Sequence, residues 1–105
     1  MIDFSTFPFE GTFVVTEGDD ILGCANGTFI DLQRGFGVIE KIFECDSETG
    51  TFIFLVTPFV YKAHWEAWVG TGAFAGIRGR GRFSVEFGQG DIAYETLTGV
   101  IHFEP

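Results

Sequence analysis

At 105 residues, 46% of them hydrophobic and 14 of them phenylalanine, the chain has the size of one domain and enough large side chains for an aromatic core, which excludes disorder. Its net charge of −9, from 15 acids against 6 Lys and Arg, repels nucleic acid and anionic lipid, so neither is expected as a partner. No apolar run approaches the ~20 residues of a membrane-spanning helix; the longest, Phe52 to Tyr61, is interrupted by Pro58.

The opening Met1-Ile2-Asp3-Phe4 lacks the basic start and apolar middle of a signal peptide, so a secreted protein would be present here in its mature form. From residue 7 the pattern alternates. Phe7, Phe9, Gly11, Phe13 and Val15 take one face, while Thr6, Glu10, Thr12 and Thr16 take the other, as in a half-buried strand. Turn signals then recur at Glu17–Asp20, Asn26-Gly27, Arg34-Gly35, Asp46–Gly50, Lys62-Ala63, Gly70–Gly72 and Gly88–Asp91. Short runs of Phe, Val, Ile and Thr lie between them, and no stretch reads as a helix. This spacing predicts an all-β fold, one antiparallel meander over residues 1–105, closed as a barrel or folded as a sandwich. Asn26-Gly27-Thr28 also matches a glycosylation sequon, although Asn-Gly turn chemistry is sufficient reason for it.

Cys24 and Cys45 are 21 residues apart, a spacing that fits no metal or redox motif. They form either a disulfide, which places the protein in an oxidising, extracellular compartment, or two buried thiols, which is compatible with the cytoplasm. Lys41 shares strand parity with Ile39, Phe43 and Cys45. Pointed inward, it would be a lysine in an apolar interior, able to act as a base or nucleophile; a bulge or a snorkelling stem would instead turn it out.

In His64-Trp65-Glu66-Ala67-Trp68, alternation sets His64, Glu66 and Trp68 against Trp65, Ala67 and Val69. His64 beside Glu66 is a candidate acid–base pair with Tyr61 close by, or an exposed cross-strand patch. From Ile77 the inward residues are Ile77, Gly79, Gly81, Phe83, Val85 and Phe87. Arg78, Arg80 and Arg82 form an outward stripe, which reads as an anion site or, more simply, as cross-strand pairing in an acidic protein. The last strand turns Leu97, Gly99, Ile101 and Phe103 inward. Glu95 shares that parity and is a candidate general acid if buried, unless a bulge or an arginine partner removes it. The histidines and carboxylates have no metal-ligand spacing, and no cofactor is expected.

Gly70-Thr71-Gly72-Ala73-Phe74-Ala75-Gly76 with Arg78-Gly79 resembles the glycine hairpin of the allene-oxide-cyclase-like and dirigent-like β-barrels. Glu95-Thr96-Leu97-Thr98-Gly99-Val100-Ile101 resembles their closing strand. Cys24, Gly27-Thr28-Phe29 and Phe43-x-Cys45 resemble small bacterial relatives in which two cysteines flank a hairpin. The resemblance implies an eight-stranded barrel, often trimeric (a trimer or dimer is thus expected), around an apolar cavity. Some relatives cyclise or guide the coupling of hydrophobic substrates. On this reading the chain binds a small hydrophobic molecule and has cyclase or isomerase activity, with Tyr61, Trp65, Trp68 and Phe74 lining the cavity and Lys41, Glu95, His64 and Glu66 supplying chemistry. The plant cyclases' polar cavity residues find no match here, so no catalytic residue is carried over from them. The alternative is a secreted structural or interaction module whose phenylalanines fill the barrel.

Overall fold

A computed structural model describes residues 9–35, 37–57, 63–87 and 93–105. Seven strands follow one another in space as they do in sequence: β1 (Phe9–Val14), β2 (Asn26–Gly35), β3 (Val38–Cys45), β4 (Thr51–Thr57), β5 (His64–Gly70), β6 (Ile77–Phe87) and β7 (Ala93–Phe103). All neighbours are antiparallel, so the meander predicted from turn spacing is present.

The expected closure into about eight strands is not. The sheet is an open half-barrel, and among the described residues β1 does not pair with β7. One turn of helix, α1 (Asp19–Leu22), follows β1 where only a turn was expected; it packs against β7 and delivers Leu22 into the core. A second difference lies at Asn26-Gly27, which opens β2 instead of forming a turn. Gly27 stands between Phe13 and Cys45, and a Cβ there would collide with the Glu44 carbonyl oxygen. The pattern asks for a small residue at this point, and strand pairing supplies the reason.

Alternation places the core as anticipated on β6, where Ile77 and Phe83 are buried and Arg78, Arg80, Arg82, Ser84 and Glu86 are exposed. On β5 it breaks. Ile53 pairs with Val69 but Phe54 pairs with Ala67, leaving Trp68 as an extra residue. Such a bulge shifts every later side chain to the other face. Trp65 and Ala67 are therefore buried while Trp68 and Val69 are both exposed, against the expectation that Val69 would share the face of Trp65.

The core is a lattice of rings. Phe43 stacks on Phe52 with centroids 4.7 Å apart, and Phe54 stacks on Trp65 at 4.5 Å. Phe13 meets Phe43 edge-on at 5.2 Å. Phe74 lies 4.8 Å from Phe52, held there by a short 3-10 turn, Gly72–Phe74, between β5 and β6. Such pairs each add ~0.5–1.5 kcal/mol beyond the area they bury. The chain leaves this turn through Gly76 at φ 84°, a conformation that glycine adopts without steric cost.

Trp65, Gly81 and Gly99 occupy one row across β5, β6 and β7. The indole Nε1 donates to the Thr98 carbonyl at 3.1 Å, spanning β6. A Cβ at Gly81 would collide with that same Thr98 oxygen, and one at Gly99 with the Arg80 oxygen. The two glycines thus let β6 and β7 approach closely where the tryptophan crosses them.

Candidate functional site

The hairpin of β2 and β3 sets Asp31 directly opposite Lys41. The register runs unbroken from Gly27–Cys45 to Gln33–Ile39, with its one irregularity beyond, at Gln33/Gly35. No bulge turns Lys41 outward; it is 1% exposed, and Asp31 is 3% exposed. The β6–β7 register is also unbroken from Ile77–Phe103 to Phe87–Ala93, so Glu95 keeps its inward parity.

These three side chains meet. Lys41 Nζ donates to Asp31 Oδ1 at 2.7 Å and Oδ2 at 3.0 Å, and to Glu95 Oε1 at 2.6 Å. It also lies 4.0 Å from the centre of the Phe29 ring, within cation–π range. An ammonium buried without partners would be heavily penalised; here its donors face three carboxylate oxygens and an aromatic face. Among the described residues no buried side-chain nitrogen or oxygen lacks a hydrogen-bond partner.

One cation cannot neutralise two carboxylates. Burial pushes the Asp31 carboxyl up to about 6, outweighing the pull of Lys41, and the Glu95 charge adds to the rise. A carboxyl poised in this range, held in an apolar wall beside an ammonium, is suited to proton transfer. Access is graded. The Glu95 side chain is 22% exposed, against 5% for Asp31 and 2% for Lys41, so Glu95 is the member that an incoming molecule meets first.

Sequence parity selected Lys41 and Glu95 and missed Asp31. The signal was present: Asp31 and Lys41 are equally distant in sequence from position 36, and Asp31 has the same parity as Phe29. Pairing centred on that position, which the strands follow beyond the irregularity at Gln33/Gly35, sets Asp31 against Lys41.

The remaining candidates separate from this cluster. His64 and Glu66 are exposed on the outer face of β5, away from Lys41 and Glu95, so the four residues considered for chemistry fall into two groups. Trp65 and Phe74 are core residues at 2% and 0% exposure, and Trp68 is exposed. Tyr61 lies outside the described residues. Of the arginine stripe, Arg78 approaches Glu104 at 3.7 Å, with both side chains about half exposed, whereas Arg80 and Arg82 form no ion pair among the described residues. That departs from the general cross-strand pairing the acidic composition suggested.

Cys24 and Cys45 form a disulfide. It joins the segment entering β2 to the last residue of β3, bracing the hairpin that carries Asp31 and Lys41. The bond fits an oxidising compartment. No helix among the described residues is long and apolar enough to cross a membrane.

No protein-family model, curated protein or solved structure matches the chain.

Proposed function

We propose that this protein binds a small hydrophobic molecule against the inner aromatic wall of its half-barrel, with the Asp31–Lys41–Glu95 cluster as the polar anchor. One observation carries the reading: a buried ammonium is shared by two carboxylates on an otherwise apolar wall, and one of those carboxylates is accessible. Recognition sites of this kind combine a large apolar surface with a few convergent polar groups. Glu95 would accept or donate the hydrogen bond that orients the ligand, and Asp31 behind it would hold Lys41 in place. Proton transfer through Glu95 would give an isomerase or cyclase step, in keeping with the resemblance of Gly70–Gly76 and Glu95–Ile101 to allene-oxide-cyclase-like and dirigent-like barrels. The disulfide supports an extracellular setting. Assembly as a trimer or dimer belongs to the same proposal, and sedimentation equilibrium would measure it.

A neutral environment-sensitive dye such as Nile red tests the binding step. Saturable enhancement at one dye per chain, weakened in Glu95→Gln, is the expected result.

A second reading has its own support. The ring lattice from Phe13 through Phe43, Phe52 and Phe54 to Trp65 and Phe74 is continuous, and Phe52 and Phe74 have essentially no exposure. Such a core also suits a structural or interaction module without activity. Absence of dye binding to protein that unfolds cooperatively would favour this reading.

A further inference from the structure

The outer face of β5, β6 and β7 carries a feature independent of the inner wall. An open depression of about 520 Å³ lies there, bordered by His64, Glu66, Arg80 and Val100 around the row of Trp65, Gly81 and Gly99. That volume is in the ~300–1,000 Å³ range of small-molecule sites. Gly81 and Gly99 belong to the inward row of Trp65, so between the outward side chains the floor is strand backbone, which a flat body can approach. Val100, 68% exposed, provides an apolar wall.

The charge around it is anomalous for this chain. Arg78, Arg80 and Arg82 are half of the six Lys and Arg residues in a protein of net charge −9, and all three are on this face. Arg80 stands opposite Glu66 in the register, and Arg82 opposite His64, yet Arg80 and Arg82 form no ion pair among the described residues. A guanidinium offers a planar fork of donors that matches a carboxylate or a sulfate ester. Two such groups beside an apolar depression match an anion carried on a flat apolar body.

We propose that this depression is a binding site for a small organic anion, an aryl carboxylate or aryl sulfate, whose ring rests on the Gly81–Gly99 floor against Val100 and whose charged group is held by Arg80, with Arg82 adding attraction. Arg80 supplies the directional bond. Arg82 acts at longer range, and its contribution weakens with salt.

Backbone amide NMR with benzoate and phenyl sulfate as probes tests this, with benzyl alcohol as the uncharged control. The expected result is saturable shifts confined to residues around Gly81, Gly99 and Val100, no such shifts with benzyl alcohol, and about tenfold weaker binding in Arg80→Gln. Arg80 is exposed, so the variant keeps its fold, and the amide spectrum verifies that. Shifts that Arg80→Gln leaves unchanged, equal shifts with benzyl alcohol, or none at tens of millimolar probe would each overturn the proposal. Because the site lies on the outer face, its failure would leave Nile red binding at the inner wall unaffected.

Discussion

Lys41 on β3 and Glu95 on β7 are in contact at 2.6 Å although three strands separate them in the sheet. A flat sheet would keep β3 and β7 roughly 19 Å apart, at ~4.8 Å per strand. The contact therefore requires the sheet to roll, and it acts as a polar tie across the open side of the half-barrel. Asp31 completes the tie from β2.

Removing the cation should be costly. Lys41→Met fits the apolar surroundings but leaves Asp31 buried beside Glu95 with no counter-charge, and breaking such a site from one side typically costs ~3–5 kcal/mol. The expected result is a loss of about 3 kcal/mol in urea unfolding at pH 7, recovered in large part by the triple variant Asp31→Asn/Lys41→Met/Glu95→Gln. A single variant as stable as the parent would mean that the cluster adds nothing to stability.

Asp31 should titrate late. Its folded-state pKa is raised from 3.8 to about 6, so the native state holds this proton more tightly than the unfolded chain does. The associated stabilisation is fully present below about pH 4 and is lost as pH rises through about 6. Carboxyl carbon NMR should give Asp31 a midpoint near 6. Relative to Asp31→Asn, the parent should gain on the order of 2 kcal/mol between pH 7 and pH 4. A midpoint near 4 would show that Lys41 fully offsets burial.

The sequence disclosed the strand meander because most turns are marked by Gly, Asp or Asn and the strands β1, β6 and β7 alternate apolar with polar residues. On β6 the buried residues Ile77 and Phe83 follow from parity alone, and on β7 Leu97 and Ile101 are half-buried as parity predicts; Phe103, expected inward, is exposed at the end of the strand although no irregularity interrupts the pairing. Three features were hidden for identifiable reasons. The bulge at Trp68 is a property of the β4–β5 pairing and leaves no mark in the order His64 to Gly70. Barrel closure depends on whether the first and last strands meet, a long-range relation that local pattern does not encode. The role of Asp31 comes from Lys41 across the hairpin, a relation that the alternation within β2 does not carry.

Loss of the disulfide should loosen the hairpin that holds the cluster. Cys24 and Cys45 enclose a loop with a sequence separation of 21, for which the loop-entropy estimate is about 3 kcal/mol. Cys24→Ala/Cys45→Ala should lower the melting temperature by roughly 10–15 °C for a domain of this size. The parent in reducing agent should melt at a similarly lowered temperature. An unchanged melting temperature would show that pairing within the β2–β3 hairpin already restrains this segment.

The row of Trp65, Gly81 and Gly99 predicts an unusually sharp response to one methyl group. In Gly81→Ala the new Cβ would meet the Thr98 carbonyl oxygen and the Gly99 Cα, both backbone atoms that cannot rotate aside. The same oxygen accepts the Trp65 indole N–H, so displacing β7 also lengthens that bond. Overpacking of this kind costs typically ~1–3 kcal/mol, and the strained bond places Gly81→Ala toward the upper end. Trp65→Phe, by contrast, keeps an aromatic ring against Phe54 and removes the N–H, for which about 1–2 kcal/mol is expected from the lost bond and lost volume. In the double variant the two costs should be less than additive, because Gly81→Ala no longer strains a bond that is absent. Urea denaturation of the four proteins measures this coupling, and strict additivity would separate the glycine requirement from the tryptophan that crosses it.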